Sequence, residues 1–161
     1  MLKKDNQFFK KLESFKNSNA LILENNIFVT YEKLLLSAKK ISNKLDKKKK
    51  LIFLIGNNDF ETITAYISFI NKGHSVAFLD SKINKIFLKH LLLLYCPDYI
   101  FCNNEIVKKI KSYKKILKFK SYFLYKKNKI VVNFLNKDLM LLMSTSGSTG
   151  SPKFVKQSYQ N

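Results

Sequence analysis

The sequence predicts an α/β fold: a mostly parallel sheet with flanking helices, preceded by an N-terminal hairpin. Three observations predict it. Leu51–Ile55 is an unbroken apolar run, as expected of a parallel strand covered on both faces. Further short apolar runs alternate along the chain with segments whose apolar residues recur at helical spacing. The chain has 161 residues, 46% of them hydrophobic, enough for one domain with a real core.

The elements follow in order. Phe8, Leu12 and Phe15 fall at helical spacing, so Met1–Phe15 reads as a packed amphipathic helix. Ala20–Leu23 and Ile27–Val29 flank the polar turn Glu24-Asn25-Asn26, a hairpin. Thr30 can cap a helix whose face is Leu34, Ala38, Ile41 and Leu45. Lys47–Lys50 reads as a solvated loop before the Leu51–Ile55 strand. Asn57-Asn58-Asp59 offers caps for a second helix with the face Phe60, Ile63, Ile67 and Ile70, ended by Gly73. Ser75–Leu79 is the next strand. Asn84–Tyr95 reads as a third helix with Phe87, Leu91 and Leu94 inward, and Pro97 stops it. Asp98–Cys102 is a further strand and Asn104–Tyr113 a fourth helix. Lys115–Leu135 reads as two or three strands turning around Lys126–Lys129. A last apolar strand runs from Asp138 to Met143. The alternation implies right-handed crossovers within one sheet.

Composition narrows the function classes. The net charge of +19 invites a nucleic-acid reading, but every basic residue other than histidine is lysine. Base-edge and phosphate recognition favour arginine's planar fork, so no specific nucleic-acid partner is expected. The abundance of Lys, Asn, Ile, Phe and Tyr, all with AT-rich codons, explains the charge as composition. Such a charge still attracts polyanions non-specifically. Met1–Phe15 contains Asp5 and Glu13 and is no signal peptide, and Leu91–Leu94 is too short to span a membrane. Cys96 and Cys102 form no Cys-x-x-Cys pair and read as reduced, buried thiols of a cytoplasmic protein. With His74 and His90 they build no metal site.

The segment with chemistry lies near the C-terminus. After the Asp138–Met143 strand come Ser144, Thr145, Ser146, Gly147, Ser148, Thr149, Gly150, Ser151, Pro152 and Lys153. Glycines let backbone N–H groups turn toward an anion, and the hydroxyls and the lysine add donors and charge. This is a phosphate loop. It is not a Walker loop, because Ser151 and Pro152 separate Gly150 from Lys153, and two glycines cannot supply G-x-G-x-x-G. A flexible Ser/Gly linker would not need a buried strand before it or a Pro-Lys pair within it.

Thr145–Lys153, reading T-S-G-S-T-G-S-P-K, resembles the signature loop of the adenylate-forming (AMP-binding) superfamily. Ser158-Tyr159-Gln160-Asn161 resembles the Ser/Thr-His-x-Asn segment that follows, with Tyr159 at the histidine position. Upstream, Ala20–Leu34 is similar to the family's opening hairpin and Thr-Tyr-x-Glu-Leu helix start, with Lys33 replacing the glutamate. Leu51–Asp80 follows the family's pattern loosely. The resemblance implies an ATP-dependent ligase that joins a carboxylate to AMP, releases pyrophosphate and passes the acyl group on. It implies ATP and Mg²⁺ as cofactors. It places Thr145, Ser146, Gly147, Ser148, Thr149, Gly150 and Lys153 on the β and γ phosphates, with no catalytic and no metal-ligating residue assigned.

The resemblance covers the N-terminal part of the family's large domain, so 1–161 is expected to be an incomplete domain. The family's adenine segment, Tyr-Gly-x-Thr-Glu run, ribose-binding aspartate and late catalytic lysine have no counterpart here. Three functions follow: the N-terminal piece of an adenylate-forming ligase, completed by a downstream chain; a non-catalytic nucleotide- or phosphate-binding module; or a lysine-rich domain that binds polyanions. Residues 1–161 alone are expected to show no carboxylate-dependent ATP–pyrophosphate exchange. Robust exchange by the purified chain would overturn that expectation.

Overall fold

A computed structural model describes residues 11–103, 110–129, 135–144 and 154–159. An antiparallel hairpin, β1 (Asn19–Leu23) and β2 (Ile27–Thr30), opens the fold around a short 3-10 turn at Glu24–Asn26. Asn25 and Asn26 both adopt positive φ there, a conformation asparagine tolerates better than most residues. The Thr30 hydroxyl accepts from the Lys33 N–H and caps α1 (Tyr31–Ser42). Leu34, Ala38 and Ile41 form its buried face, as the spacing predicts, and Leu45 is buried just beyond it.

The main sheet has seven strands in the order β6-β7-β5-β3-β4-β8-β9. They are β3 (Leu51–Gly56), β4 (Ser75–Asp80), β5 (Tyr99–Asn103), β6 (Tyr113–Phe119), β7 (Tyr122–Lys127), β8 (Leu139–Ser144) and β9 (Phe154–Ser158). The pairs β5·β3, β3·β4 and β4·β8 are parallel. Antiparallel β7 and β6 extend one side and antiparallel β9 the other. Only β7 and β9 therefore run against the other five, and the expected mostly parallel sheet is found.

β3 alternates its side chains between two cores. Ile52 and Leu54 meet Ile41, Ala65, Phe69, Val76 and Phe101 beneath α1 and α2 (Phe60–Asn71). Leu51, Phe53 and Ile55 meet Ala77, Leu79, Leu88, Leu91 and Ile100 beneath α3 (Lys85–Tyr95). The chain steps from β3 to β4 over one face, then back across β3 to β5 over the other, so both crossovers have the same hand.

Several local expectations are corrected. On α2 the deepest side chains are Thr62, Thr64, Ala65, Ser68, Phe69 and Ile70, while Ile63 and Ile67 are half-buried, because a helix lying flat on a sheet buries a stripe wider than one apolar row. On α3 the inward residues are Leu88, Leu91 and Leu92; Leu94 points to solvent, because at 3.6 residues per turn it lies about 100° around the helix from the centre of that stripe. Asn104–Lys109 lies outside the described residues, but Ile110–Ser112 is not helical and Tyr113 opens β6. The β6–β7 hairpin turns at Lys120-Ser121, with Lys120 at φ 52°, and Lys126 and Lys127 lie inside β7 rather than at a turn. Of the N-terminal helix, residues 11–13 are helical and Leu12 packs on the core, while Phe15 is exposed; residues 1–10 lie outside the description.

The Lys47–Lys50 segment is the most instructive correction. Lys47 and Lys48 are exposed, but Lys49 and Lys50 fasten the sheet's N-terminal edge. Lys49 Nζ donates to the carbonyls of Lys137 and Leu139 at 2.8 and 2.6 Å. Lys50 Nζ pairs with the Asp98 carboxylate at 2.9 Å, whose other oxygen accepts from the Leu51 N–H at 3.1 Å. The Lys50 N–H donates to His74 Nδ1 at 3.1 Å. His74 is fully buried, so its neutral ring carries the proton on Nε2, which has no hydrogen-bond partner.

Burial first, and the Lys72 charge second, hold the His74 pKa down from 6.5 to about 4. Protonation would also set a second donor against the Lys50 N–H. The unfolded chain takes up this proton below its ordinary pKa, the folded chain only near 4, so stability is lost as pH falls from about 6.5 toward 4. The shift corresponds to at most about 3 kcal/mol. Urea midpoints measured at pH 7.5 and 4.5 should fall across that window, and His74→Asn, which keeps an acceptor near Nδ1, should flatten the fall. An unchanged slope in the variant would assign the acid sensitivity elsewhere.

Candidate functional site at the sheet's C-terminal edge

The chain leaves β3 toward α2 on one face and leaves the adjacent β4 toward α3 on the other. Two neighbouring parallel strands whose exits diverge leave a crevice at their C-terminal ends, the place where open α/β sheets take ligands. Here the crevice is an open cleft of about 380 Å³. Gly56, Asn57 and Asn58 line it from the β3 exit, Asp80 and Lys82 from the β4 exit, and Phe78 and Met143 from β4 and β8.

The two exits are tied together. The Ser81 N–H donates to the Gly56 carbonyl at 3.2 Å, and the Ser81 hydroxyl donates to Asn57 Oδ1. One Asp80 oxygen accepts from the Lys82 N–H at 2.7 Å, which folds the β4 exit into a local Asx turn. Asp59 has two tasks. Its Oδ1 caps α2 by accepting from the Thr62 N–H at 2.8 Å, and its Oδ2 accepts from the Tyr122 hydroxyl at 2.7 Å. That second bond links the β3 exit to the start of β7. Burial, with the Asp59 carboxylate adding to it, raises the Tyr122 pKa, so the phenol stays a donor.

β8 reaches the same edge one strand beyond β4, with Val76, Ala77 and Phe78 opposite Leu141, Leu142 and Met143. β9 returns antiparallel, and Ser144 is the register partner of Phe154. The Phe154 ring packs edge-on to Tyr95 with centroids 5.3 Å apart. At the far end of β9 the Tyr159 hydroxyl donates to the His74 carbonyl at 3.1 Å, and Lys49 Nζ lies 4.9 Å from the Tyr159 ring centre. Tyr159 thus anchors the N-terminal edge.

The sequence-derived site residues Thr145, Ser146, Gly147, Ser148, Thr149, Gly150 and Lys153 lie outside the described residues. The described chain enters that segment from the end of β8 and leaves it into β9, beside the cleft. Sequence reasoning missed the cleft itself. Asn57, Asn58 and Asp59 registered as helix caps, and Asp80 only as the end of the stretch Leu51–Asp80. The order of the strands, which a single sequence does not display, is what brings them together. Cys102 is buried as expected, and its thiol pKa is pushed up to about 12 by burial, which leaves it no nucleophilic role, whereas Cys96, just past the end of α3, is only partly buried. Among the described residues no three His, Cys, Asp or Glu side chains converge as a metal cage.

No family model matches the sequence, and a sequence comparison with curated proteins gives no significant match. Solved structures do match in fold. MatB from Rhodopseudomonas palustris aligns over 96% of this chain and 34% of its own, with TM-score 0.70 and 15% identity. The luciferase-like enzyme of the nonluminescent mealworm Zophobas morio aligns over 94% of this chain and 41% of its own, with TM-score 0.69 and 18% identity. O-succinylbenzoate coenzyme A synthetase from Bacillus subtilis, solved with AMP, aligns over 91% and 41%, with TM-score 0.59 and 18% identity. The chain has the fold of part of the AMP-forming ligases and spans 34–41% of the length of these three structures.

The backbone at the cleft admits no side chain at Gly56. A Cβ there would stand 2.8 Å from Thr62 Cγ2 and closer still to Oγ1. Gly56→Ala should therefore destabilise the chain by about 1–3 kcal/mol, and Thr62→Ala in the same chain should recover part of the loss. Denaturant titration of the two single variants and the double variant checks this. Additive losses would show that Gly56 and Thr62 do not share this contact.

Proposed function

We propose that this chain is the N-terminal part of the large domain of an ATP-dependent, AMP-forming carboxylate ligase, with Thr145–Lys153 binding ATP phosphates. The observation that carries the reading is a conjunction. A segment with the composition of a pyrophosphate loop joins β8 to β9 at the edge of the sheet that takes ligands, in a chain with the ligases' fold.

The chemistry asked of such a site is attack of a carboxylate oxygen on the α-phosphorus of ATP, with pyrophosphate leaving. The nucleophile is already an anion, so no general base is required. Charge builds on the departing β and γ oxygens, and donors fixed before the reaction stabilise it most. In this reading the hydroxyls and backbone N–H groups of Thr145, Ser146, Gly147, Ser148, Thr149 and Gly150 supply those donors, and Lys153 supplies a full charge. The substrates are ATP and a carboxylic acid, and the acyl group then passes to an acceptor. A downstream chain would supply the adenine, ribose and acyl contacts.

Mg²⁺ belongs to this chemistry as phosphate charge neutraliser. The described residues do not fit a magnesium site of their own: Asp80 is the one carboxylate lining the cleft, and it is engaged by the Lys82 N–H. No step is assigned to the ion here.

Lys153→Ala and Thr149→Ala each remove one phosphate donor, and a hydrogen bond to a charged group is worth about 1.5–3 kcal/mol. Each should weaken equilibrium binding of ATP with Mg²⁺ to the full chain by about ten-fold or more. A fluorescent ATP analogue displaced by ATP gives the constants. Wild-type affinity in both variants would sink the loop assignment. Salt-sensitive RNA binding that survives both would favour the polyanion-binding reading instead.

A further inference from the structure

We infer that Tyr159 is a positioning residue for the 145–153 segment: with Lys49 it fixes where β9 lies along β8. The inference rests on the reading of that segment as the ATP phosphate loop. Among the described strands β9 pairs with β8 alone, and none of its five residues is fully buried. A short strand without a buried face specifies its own register weakly. Its register has to be set from outside the ladder.

Two aromatic side chains set it. At the start of β9 the Phe154 ring packs on Tyr95. Just past the end of β9 the Tyr159 N–H donates to the Asp138 carbonyl at 3.1 Å, and the Tyr159 hydroxyl donates to the His74 carbonyl. Lys49 Nζ lies over the Tyr159 ring and donates to the carbonyls of Lys137 and Leu139. One ammonium thus holds both the approach to β8 and the exit from β9. The Leu139 carbonyl also accepts from the Ser75 hydroxyl at 2.8 Å, which ties the same point to β4. The anchor is built from this chain's own groups.

A bulge reconciles the two ends. Leu141, Leu142, Met143 and Ser144 face Gln157, Lys156, Val155 and Phe154 one for one, but Leu139 faces Ser158, so Met140 has no partner on β9. Packing records the same extra residue. Met140 and Leu141, adjacent in sequence, both pack on the core beneath α1 and α2, while Leu139 and Leu142 pack on the core beneath α3. A regular strand sends adjacent side chains to opposite faces. A straight ladder carried from Leu139 and Ser158 would set Ser144 opposite Lys153 and turn the Phe154 ring to the other face, away from Tyr95. The bulge lets the Tyr159 anchor and the Phe154 contact coexist. With the Tyr159 anchor gone, β9 is held at one end only, and a ligand of 145–153 has to fix it at a cost in affinity.

The test is displacement of a fluorescent ATP analogue by ATP with Mg²⁺ from the full chain, at a temperature below the melt of every variant. Tyr159→Phe loses the bond to His74 and should weaken ATP binding by about three-fold. Lys49→Met loses the carbonyl bonds and the ring contact and should weaken it by about five-fold or more, and Lys49→Arg, which keeps a cation and its donors, should recover most of that loss. Lys126→Met removes one charge from the same edge, and Tyr113→Phe removes a phenol bond to the Pro97 carbonyl. Both controls should stay within about two-fold of wild type. A purely structural anchor would lower the melts of the Tyr159 and Tyr113 variants alike and leave affinity unmoved. Wild-type affinity in both Tyr159→Phe and Lys49→Met, or an equal loss in the two controls, overturns the inference. Loss on Lys153→Ala without loss in those two variants sinks the Tyr159 role alone, and a wild type that binds no ATP sinks the loop assignment with it.

Discussion

β3 is fully buried along its length, paired on both edges and covered on both faces, and that condition organises the rest of the chain. Every N–H and C=O of such a strand needs a hydrogen-bond partner within the protein, because no water reaches it. Every side chain needs an apolar cover, so one face requires α1 and α2 and the other α3. Covering both faces sends the chain over one side from β3 and over the other from β4. The crevice at their C-terminal ends is then a geometric by-product of burying β3, not a separately built feature. Gly56 marks how close the packing comes there, with α2 folding back onto the strand's last residue.

The two ends of the sheet differ in kind. At the N-terminal edge the polar groups are used up internally: Asp98 holds Lys50 and the Leu51 N–H, His74 holds the Lys50 N–H, and Ser75 donates to the Leu139 carbonyl. Lys126 pairs with Asp46, whose N–H donates to the Tyr99 hydroxyl. Burial opposes ionisation of Asp46, but Lys126 and Tyr99 outweigh it and lower its pKa. These contacts join segments dozens of residues apart and align the starts of the strands. At the C-terminal edge the exits of β3 and β4 instead leave Asn58 and Lys82 on an open cleft. A sheet clamped at one end and open at the other holds its loops in register while leaving their donors for a ligand.

The sequence displayed this architecture unevenly, and the reasons are physical. β3, α1 and the β1–β2 hairpin were legible because burial on both faces, a single helical stripe and a polar turn each leave a local pattern. The β6–β7 turn was not. Lysines are scattered through both strands, so Lys126–Lys129 looked like a turn while the true one at Lys120-Ser121 carries no glycine or proline. Lys49 and Lys50 read as solvated because their partners, Leu139 and Asp98, are remote in sequence. The Ser-, Thr- and Gly-rich composition of 145–153 was plain from the residues, whereas the cleft at the β3 and β4 exits depends on strand order, which no local pattern encodes. Leu94 was placed inward because Phe87, Leu91 and Leu94 fall in one helical row, and a helix with two apolar rows does not show by spacing alone which of them is covered.

A segment joining β8 to β9 is only as well placed as its ends. Ser144 is fixed by β8, which pairs with β4. Phe154 is fixed by β8 and by the Tyr95 ring on α3. The Phe154 end of β9 therefore packs against α3, and its far end is anchored by Tyr159 to the His74 carbonyl, within the clamped edge. The return strand is thus held at both ends by groups from different layers. Closing a loop between ends already fixed costs less conformational entropy than closing it between free ones. Strand pairing outside the 145–153 segment in this way fixes both of its ends.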